Sequence, residues 1–128
     1  MNGHRMLLVE DDRTTCELLR AIFGHLGWQV VVASTVAEGL RLLDPPPDLL
    51  VLDLTLPDGD GTDILERVRT DELPTRVAVT TGHDPGLLPD VARLRPDALL
   101  QKPIEVADLC RAYDARMGGA DAVAGAPG

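Results

Sequence analysis

Five short apolar runs, at residues 6–9, 30–33, 49–52, 77–79 and 98–100, alternate with segments of helical spacing, and this alternation constrains the fold more than any other feature of the chain. The runs are too short to be typical helices, and most lack the strict alternation of a half-exposed strand. They read as strands buried on both faces. Between them, helical stripes are formed by Thr15, Leu19, Phe23 and Leu26; by Val36, Leu40 and Leu43; by Ile64, Leu65 and Val68; and by Leu87, Leu88, Val91 and Leu94. Val106, Leu109, Cys110, Tyr113 and Met117 close the series. Such repetition predicts an α/β domain with a doubly wound, five-stranded parallel sheet and helices on both faces. The expected strand order is 2-1-3-4-5, with the first and fifth helices on one face and the other three opposite.

Punctuation supports these divisions. Gly27 is placed to cap the first helix at its carboxyl end, Ser34 or Thr35 to cap the start of the second, and Pro45-Pro46-Pro47 to forbid its continuation. Pro85, Gly86 and Pro89 predict a short or irregular fourth helix. A length of 128 residues suits one domain, expected over residues 1–117, and the Gly/Ala-rich residues 118–128 read as a disordered tail. Phe23, Trp28 and Tyr113 are the only Phe, Trp or Tyr residues, so the core must be built mainly from aliphatic side chains.

The formal charge of −9 creates a field that repels nucleic acid and anionic membranes, which argues against direct binding to either. No run approaches membrane-spanning length, and the first residues lack the apolar stretch of a signal peptide. Cys16 and Cys110 form neither a CxxC pair nor a disulfide framework. Free thiols and a cytoplasmic location are expected.

Open parallel sheets collect their functional groups at the carboxyl ends of the strands. Glu10 and Asp11 follow the first apolar run, Asp53 ends the third, Thr81 follows the fourth and Lys102 the fifth. Carboxylates gathered at one edge repel unless a cation or proton intervenes. Mg2+ suits them, because it takes a few carboxylate oxygens and completes its octahedron with water and phosphate. Asp53 beside a metal can act as a nucleophile toward phosphorus, with Lys102 and the Thr81 hydroxyl compensating the transferred oxygens. Asp12 reads as the cap of the first helix. Taken singly, each residue has an ordinary reading, as a cap, a strand-end hydroxyl or a solvated lysine.

Two motif imitations fail on context. Asp58-Gly59-Asp60-Gly61-Thr62 imitates the nucleophile motif of haloacid-dehalogenase-like phosphatases, but that motif directly ends a strand and this one follows Leu56-Pro57. It also imitates the start of an EF-hand, whose required glycine position holds Asp63. A scaffold with an inert acidic edge remains the non-functional alternative and predicts no phosphorylation.

Taken together, the segments LLVEDD, DLLVLDLTLPDGDG, VAVTTGH and LLQKP resemble the receiver domain of bacterial two-component response regulators, over residues 5–117. The resemblance implies a flavodoxin-like (βα)5 fold with Asp53 as phospho-acceptor and Mg2+ held by Glu10, Asp11, Asp53 and the backbone carbonyl of Thr55. It implies Thr81 as the switch hydroxyl and Lys102 as the phosphate-binding lysine before a cis-capable proline. Thr55 and His83 match positions flanking the path of attacking water. Leu99 stands where the family often has an aromatic ring, which puts conventional aromatic coupling in doubt. The implied protein is a stand-alone phosphoacceptor rather than an enzyme, acting only on its own phosphoryl group. Its implied donor is a sensor histidine kinase or a histidine phosphotransfer protein, and its output a downstream target protein, with a homodimer as a further possibility. The alternative role is a phosphorelay intermediate.

Overall fold

Residues 3–82, 91 and 93–118 are described by the computed structural model. In chain order its elements are β1 (Arg5–Val9), α1 (Arg13–His25), β2 (Gln29–Ala33), α2 (Val36–Arg41), β3 (Leu49–Asp53), β4 (Thr55–Leu56), β5 (Gly59–Asp60), α3 (Thr62–Thr70), β6 (Arg76–Thr81), β7 (Ala98–Gln101) and α4 (Val106–Gly118). The main sheet runs β2-β1-β3-β6-β7 with every pairing parallel, which is the expected 2-1-3-4-5 order. Between β3 and α3 the chain adds a feature that its sequence does not announce, a small antiparallel hairpin of β4 and β5.

Strand alternation sorts the core into two layers. Met6, Leu8, Leu49, Val51 and Ala78 face α1 and α4, where they meet Leu19, Phe23, Leu109, Ala112 and Tyr113. Leu7, Val9, Leu50, Leu52, Val77 and Val79 face the opposite way, against Val36, Ile64, Leu65, Val68 and Val91. The expected division of the helices between faces therefore holds for those described. Leu87, Leu88, Pro85, Gly86, Pro89, His83 and residues 119–128 lie outside the described residues.

Burial on both faces holds for the three central strands but not for the edges, where β2 and β7 are largely half-exposed. An edge strand has one neighbour instead of two, so the helices cover it incompletely. Leu26 departs from its stripe for a related reason: it is the carboxyl cap of α1, where the chain turns away, and it is exposed. The turn itself uses Gly27 at φ 93°, with Gly27 N–H donating to Gly24 and Trp28 N–H to Phe23. This pairing is the Schellman closure, and the Trp28 and Phe23 rings meet across it at 5.7 Å.

At the other end of α1, Asp12 accepts from Thr15 N–H at 3.2 Å, as a cap should. Of the two candidates before α2, Thr35 is the cap, accepting from Glu38 N–H at 3.1 Å, while the Glu38 carboxylate accepts from Ser34 N–H at 2.9 Å. Cys16 and Cys110 are both free and pack against the α1 and α4 side of the core. Burial pushes the Cys16 thiol up to about 11, and it raises Cys110 as well. Thiolate, the reactive form, is scarce at neutral pH in such settings.

Gly61 joins the fold to the site. A Cβ there would stand 2.4 Å from the Asp53 carbonyl oxygen, a backbone atom that cannot swing aside. Gly61→Ala is expected to destabilise the domain by about 1–3 kcal/mol, as overpacking does, and urea unfolding checks it. An unchanged midpoint would show that the junction of β3 and α3 yields freely.

Candidate functional site

The carboxyl ends of β1, β3, β6 and β7 bring the sequence-selected residues to one edge. Glu10 directly follows β1 and is 2% exposed, Asp53 ends β3 at 6%, and Thr81 ends β6 at 3%. Asp11 is exposed. Lys102 follows β7 and is placed by its own N–H, which donates to the Thr81 carbonyl at 2.7 Å; its bond to Pro103 is cis.

The ammonium of Lys102 lies 2.8 Å from Glu10 Oε1 and 3.4 Å from Asp53 Oδ2. Its nearer partner is thus Glu10 rather than the proposed acceptor, which the linear sequence does not reveal. The second oxygen of Glu10 accepts from Asp12 N–H at 3.1 Å, and Asp53 Oδ1 accepts from Thr55 N–H at 3.2 Å. Burial raises the Glu10 pKa, the Lys102 ammonium pulls it back down, and Asp53 adds to the rise, for a net upward shift. Burial also works to depress Lys102, but its bond to Glu10 and the charges of Glu10 and Asp53 outweigh this, and its pKa is raised.

Oxygen atoms of Glu10, Asp11 and Asp53 lie within 4.8 Å of one another. This all-oxygen donor set fits a hard divalent cation. The bonds already made by Glu10 and Asp53 leave lone pairs free, since each carboxylate oxygen accepts from more than one direction. Thr55 is exposed at the start of the hairpin, beside this cluster through its bond to Asp53. Leu99 is half-buried and packs on the α2 and α3 side of the core. His83, expected to overhang the site, lies outside the described residues.

The aspartates of the DGDG turn have other work. Asp58 forks onto Val36 N–H at 2.7 Å and Ala37 N–H at 3.1 Å, and Asp60 accepts from Thr62 N–H at 2.8 Å at the start of α3. Both carboxylates are occupied with the first N–H groups of helices, Asp58 at α2 and Asp60 at α3. An aspartate two residues before a helix was a readable signal for Asp60. Nothing local signals Asp58, whose partners lie 21 and 22 residues away.

Similar folds are found among solved receiver domains. A CheY-like receiver domain protein from Methanospirillum hungatei JF-1 matches with TM-score 0.79 and 26% identity, covering 89% of this chain and 93% of that one. The non-phosphorylated HemR receiver domain from Leptospira biflexa matches with TM-score 0.76 and 29% identity, covering 88% and 92%. The family model described as the response regulator receiver domain matches residues 6–114, and the chain belongs to that family. The acid tolerance regulatory protein ActR of Rhizobium meliloti is 34% identical over 116 residues, which are 88% of this chain and 59% of ActR. The transcriptional regulatory protein TrcR of Mycobacterium tuberculosis is 40% identical over 81 residues, 62% of this chain and 32% of TrcR. The chain thus spans well under two thirds of the length of these curated relatives. Among the described residues, no helix is long and apolar enough to cross a membrane.

Lys102→Ala leaves Glu10 and Asp53 without their shared cation. Removing one partner from a buried pair costs several kcal/mol, and partial solvent access at Lys102 reduces that, so a loss on the order of 2 kcal/mol is expected in metal-free protein at neutral pH. A carboxyl whose folded pKa is raised above its unfolded value binds its proton more tightly in the native state, so acid favours that state. Glu10 rises further without the ammonium, and the deficit of the variant should shrink as pH falls from about 7 to about 5. Urea melts with chelator at each pH test this; a deficit constant across the range would show that the lost stability is not electrostatic.

Proposed function

We propose that this receiver domain accepts a phosphoryl group from a phosphohistidine onto Asp53 and signals through contacts with another protein. The observation that carries the reading is the convergence of Asp53 and Glu10 on the Lys102 ammonium, within the acidic cluster completed by Asp11. In the transfer, a carboxylate oxygen of Asp53 bonds to phosphorus as the bond from phosphorus to the donor imidazole nitrogen breaks, and the nitrogen retains that electron pair. Glu10, Asp11, Asp53 and the Thr55 carbonyl would hold Mg2+, which when bound supplies positive charge to the phosphoryl oxygens.

The chain's own groups do the positioning. Thr55 N–H holds one oxygen of Asp53, fixing the carboxylate plane. Lys102 lies beside the other oxygen, where its ammonium can compensate charge on the incoming group. Thr81 ends the adjacent strand with its residue buried, placing a hydroxyl at the same edge for a phosphoryl oxygen. The acidic charge balance supports a protein partner over nucleic acid for this segment. A histidine kinase or histidine phosphotransfer protein is the donor we propose, with residues 1–117 as the phosphoaccepting unit and a cytoplasmic setting.

Incubation with acetyl phosphate and magnesium should add one phosphoryl mass to the intact protein. Asp53→Ala should show no gain by mass spectrometry, and a variant that still gains it would refute Asp53 as the acceptor.

Asp11 separates metal from fold, because it is exposed and makes no part of the Lys102 pair. Asp11→Asn should leave metal-free stability within about 0.5 kcal/mol, as surface changes usually do. The magnesium-dependent rise in Tm that binding linkage produces should shrink. An undiminished rise would place the metal elsewhere.

A further inference from the structure

The β4–β5 hairpin hangs from the carboxyl end of β3 and carries Thr55 at its first position. Two residues of ladder are too few to make a hairpin stable alone. Leu56 is buried in the core, but the turn beyond it, residues 57–60, is exposed. What fastens the turn is Asp58. Its two carboxylate oxygens take the N–H groups of Val36 and Ala37, successive donors in the first turn of α2 that have no partner within the helix. The Thr35 hydroxyl takes the next donor, that of Glu38. Asp58 thus completes a helix start from across the fold, and the helix in return anchors the hairpin tip. These bonds hold the Asp58 carboxyl below the usual carboxylate range, so the clasp is charged at neutral pH.

We infer that Asp58 is a positioning residue for the metal and phosphoryl site, acting through the hairpin that it clamps to α2. The inference rests on the reading of Asp53 and Thr55 given under Proposed function. One end of the clamped segment touches the site and the other closes on the segment itself. Thr55 N–H bonds Asp53 Oδ1, and Gly61 N–H closes the segment by donating to the Leu54 carbonyl at 2.9 Å. With the tip released, the Thr55 N–H loses its hold on Asp53 and the Thr55 backbone its fixed place beside that carboxylate, and a cation that demands near-ideal octahedral geometry is sensitive to that loss.

The test uses Asp58→Asn, which replaces one clasping oxygen by an amide nitrogen, beside Thr35→Ala, which removes another cap of the same helix without touching the hairpin. In metal-free protein, amide hydrogen exchange at Thr55 and Gly61 should quicken in Asp58→Asn and remain at the wild-type rate in Thr35→Ala. Titration calorimetry with magnesium chloride should then show Kd raised about fivefold in Asp58→Asn alone, the scale of one lost cap. Asp58→Ser, which retains a single capping oxygen, takes the place of the asparagine variant if that one does not fold. Unchanged exchange at both amides in the Asp58 variant would overturn the inference. Equal quickening and equal loss of affinity in Thr35→Ala would also overturn it, reducing Asp58 to a cap that supports α2. If wild-type protein takes up no magnesium, the reading of the site falls and the metal half of the inference with it, while the exchange rates still decide whether Asp58 fixes the segment.

Discussion

Lys102 draws two buried carboxylates, from β1 and from β3, to a single ammonium at the edge of the sheet. Burial alone favours the protonated form of Glu10, and the ammonium works against that rise. The arrangement needs the parallel order of the sheet, since only there do the ends of β1, β3 and β7 open onto one crevice. It also needs the two apolar layers on either side, which bury the strands deeply enough for one charge to matter. The site is therefore a property of the sheet's topology as much as of its residues.

The segment after Asp53 shows how closely site and scaffold are joined. Gly61 lets the start of α3 lie against the Asp53 carbonyl, Thr55 binds the Asp53 carboxylate, and Asp58 ties the same loop to α2. Within nine residues, 53–61, the chain meets the acceptor from two sides and a neighbouring helix once. Gly61 stands at φ −59°, a conformation open to any residue, so it is the missing side chain rather than backbone freedom that brings backbone close to backbone here.

Much of this was legible in the sequence. Apolar runs and helical stripes located the strands and the described helices, because buried parallel strands and amphipathic helices leave different periods in the chain. The four strand ends also named Glu10, Asp11, Asp53, Thr81 and Lys102 as neighbours. What was not legible depends on distance through space: the preference of Lys102 for Glu10, the role of Asp58 at α2, and the half-exposure of β2 and β7. Periodicity says which face is apolar, but not how many neighbours will cover it. The hairpin was hidden because glycine and aspartate mark a turn without saying that the flanking pairs will form a ladder.

The rings of His4, Phe23, Trp28 and Tyr113 gather at the opposite edge, beside the starts of β1 and β2, with the Arg76 guanidinium over Tyr113 at 5.2 Å. The lone indole of the chain is thus a strand length, roughly 15 Å, from the carboxylates. Its fluorescence is a gauge of whether the far edge stays packed, and hence of global unfolding, and a cation arriving at Asp53 does not touch it. An optical signal for ligation in this domain would have to come from a fluorophore introduced near the hairpin, leaving Trp28 as an internal reference for the folded state.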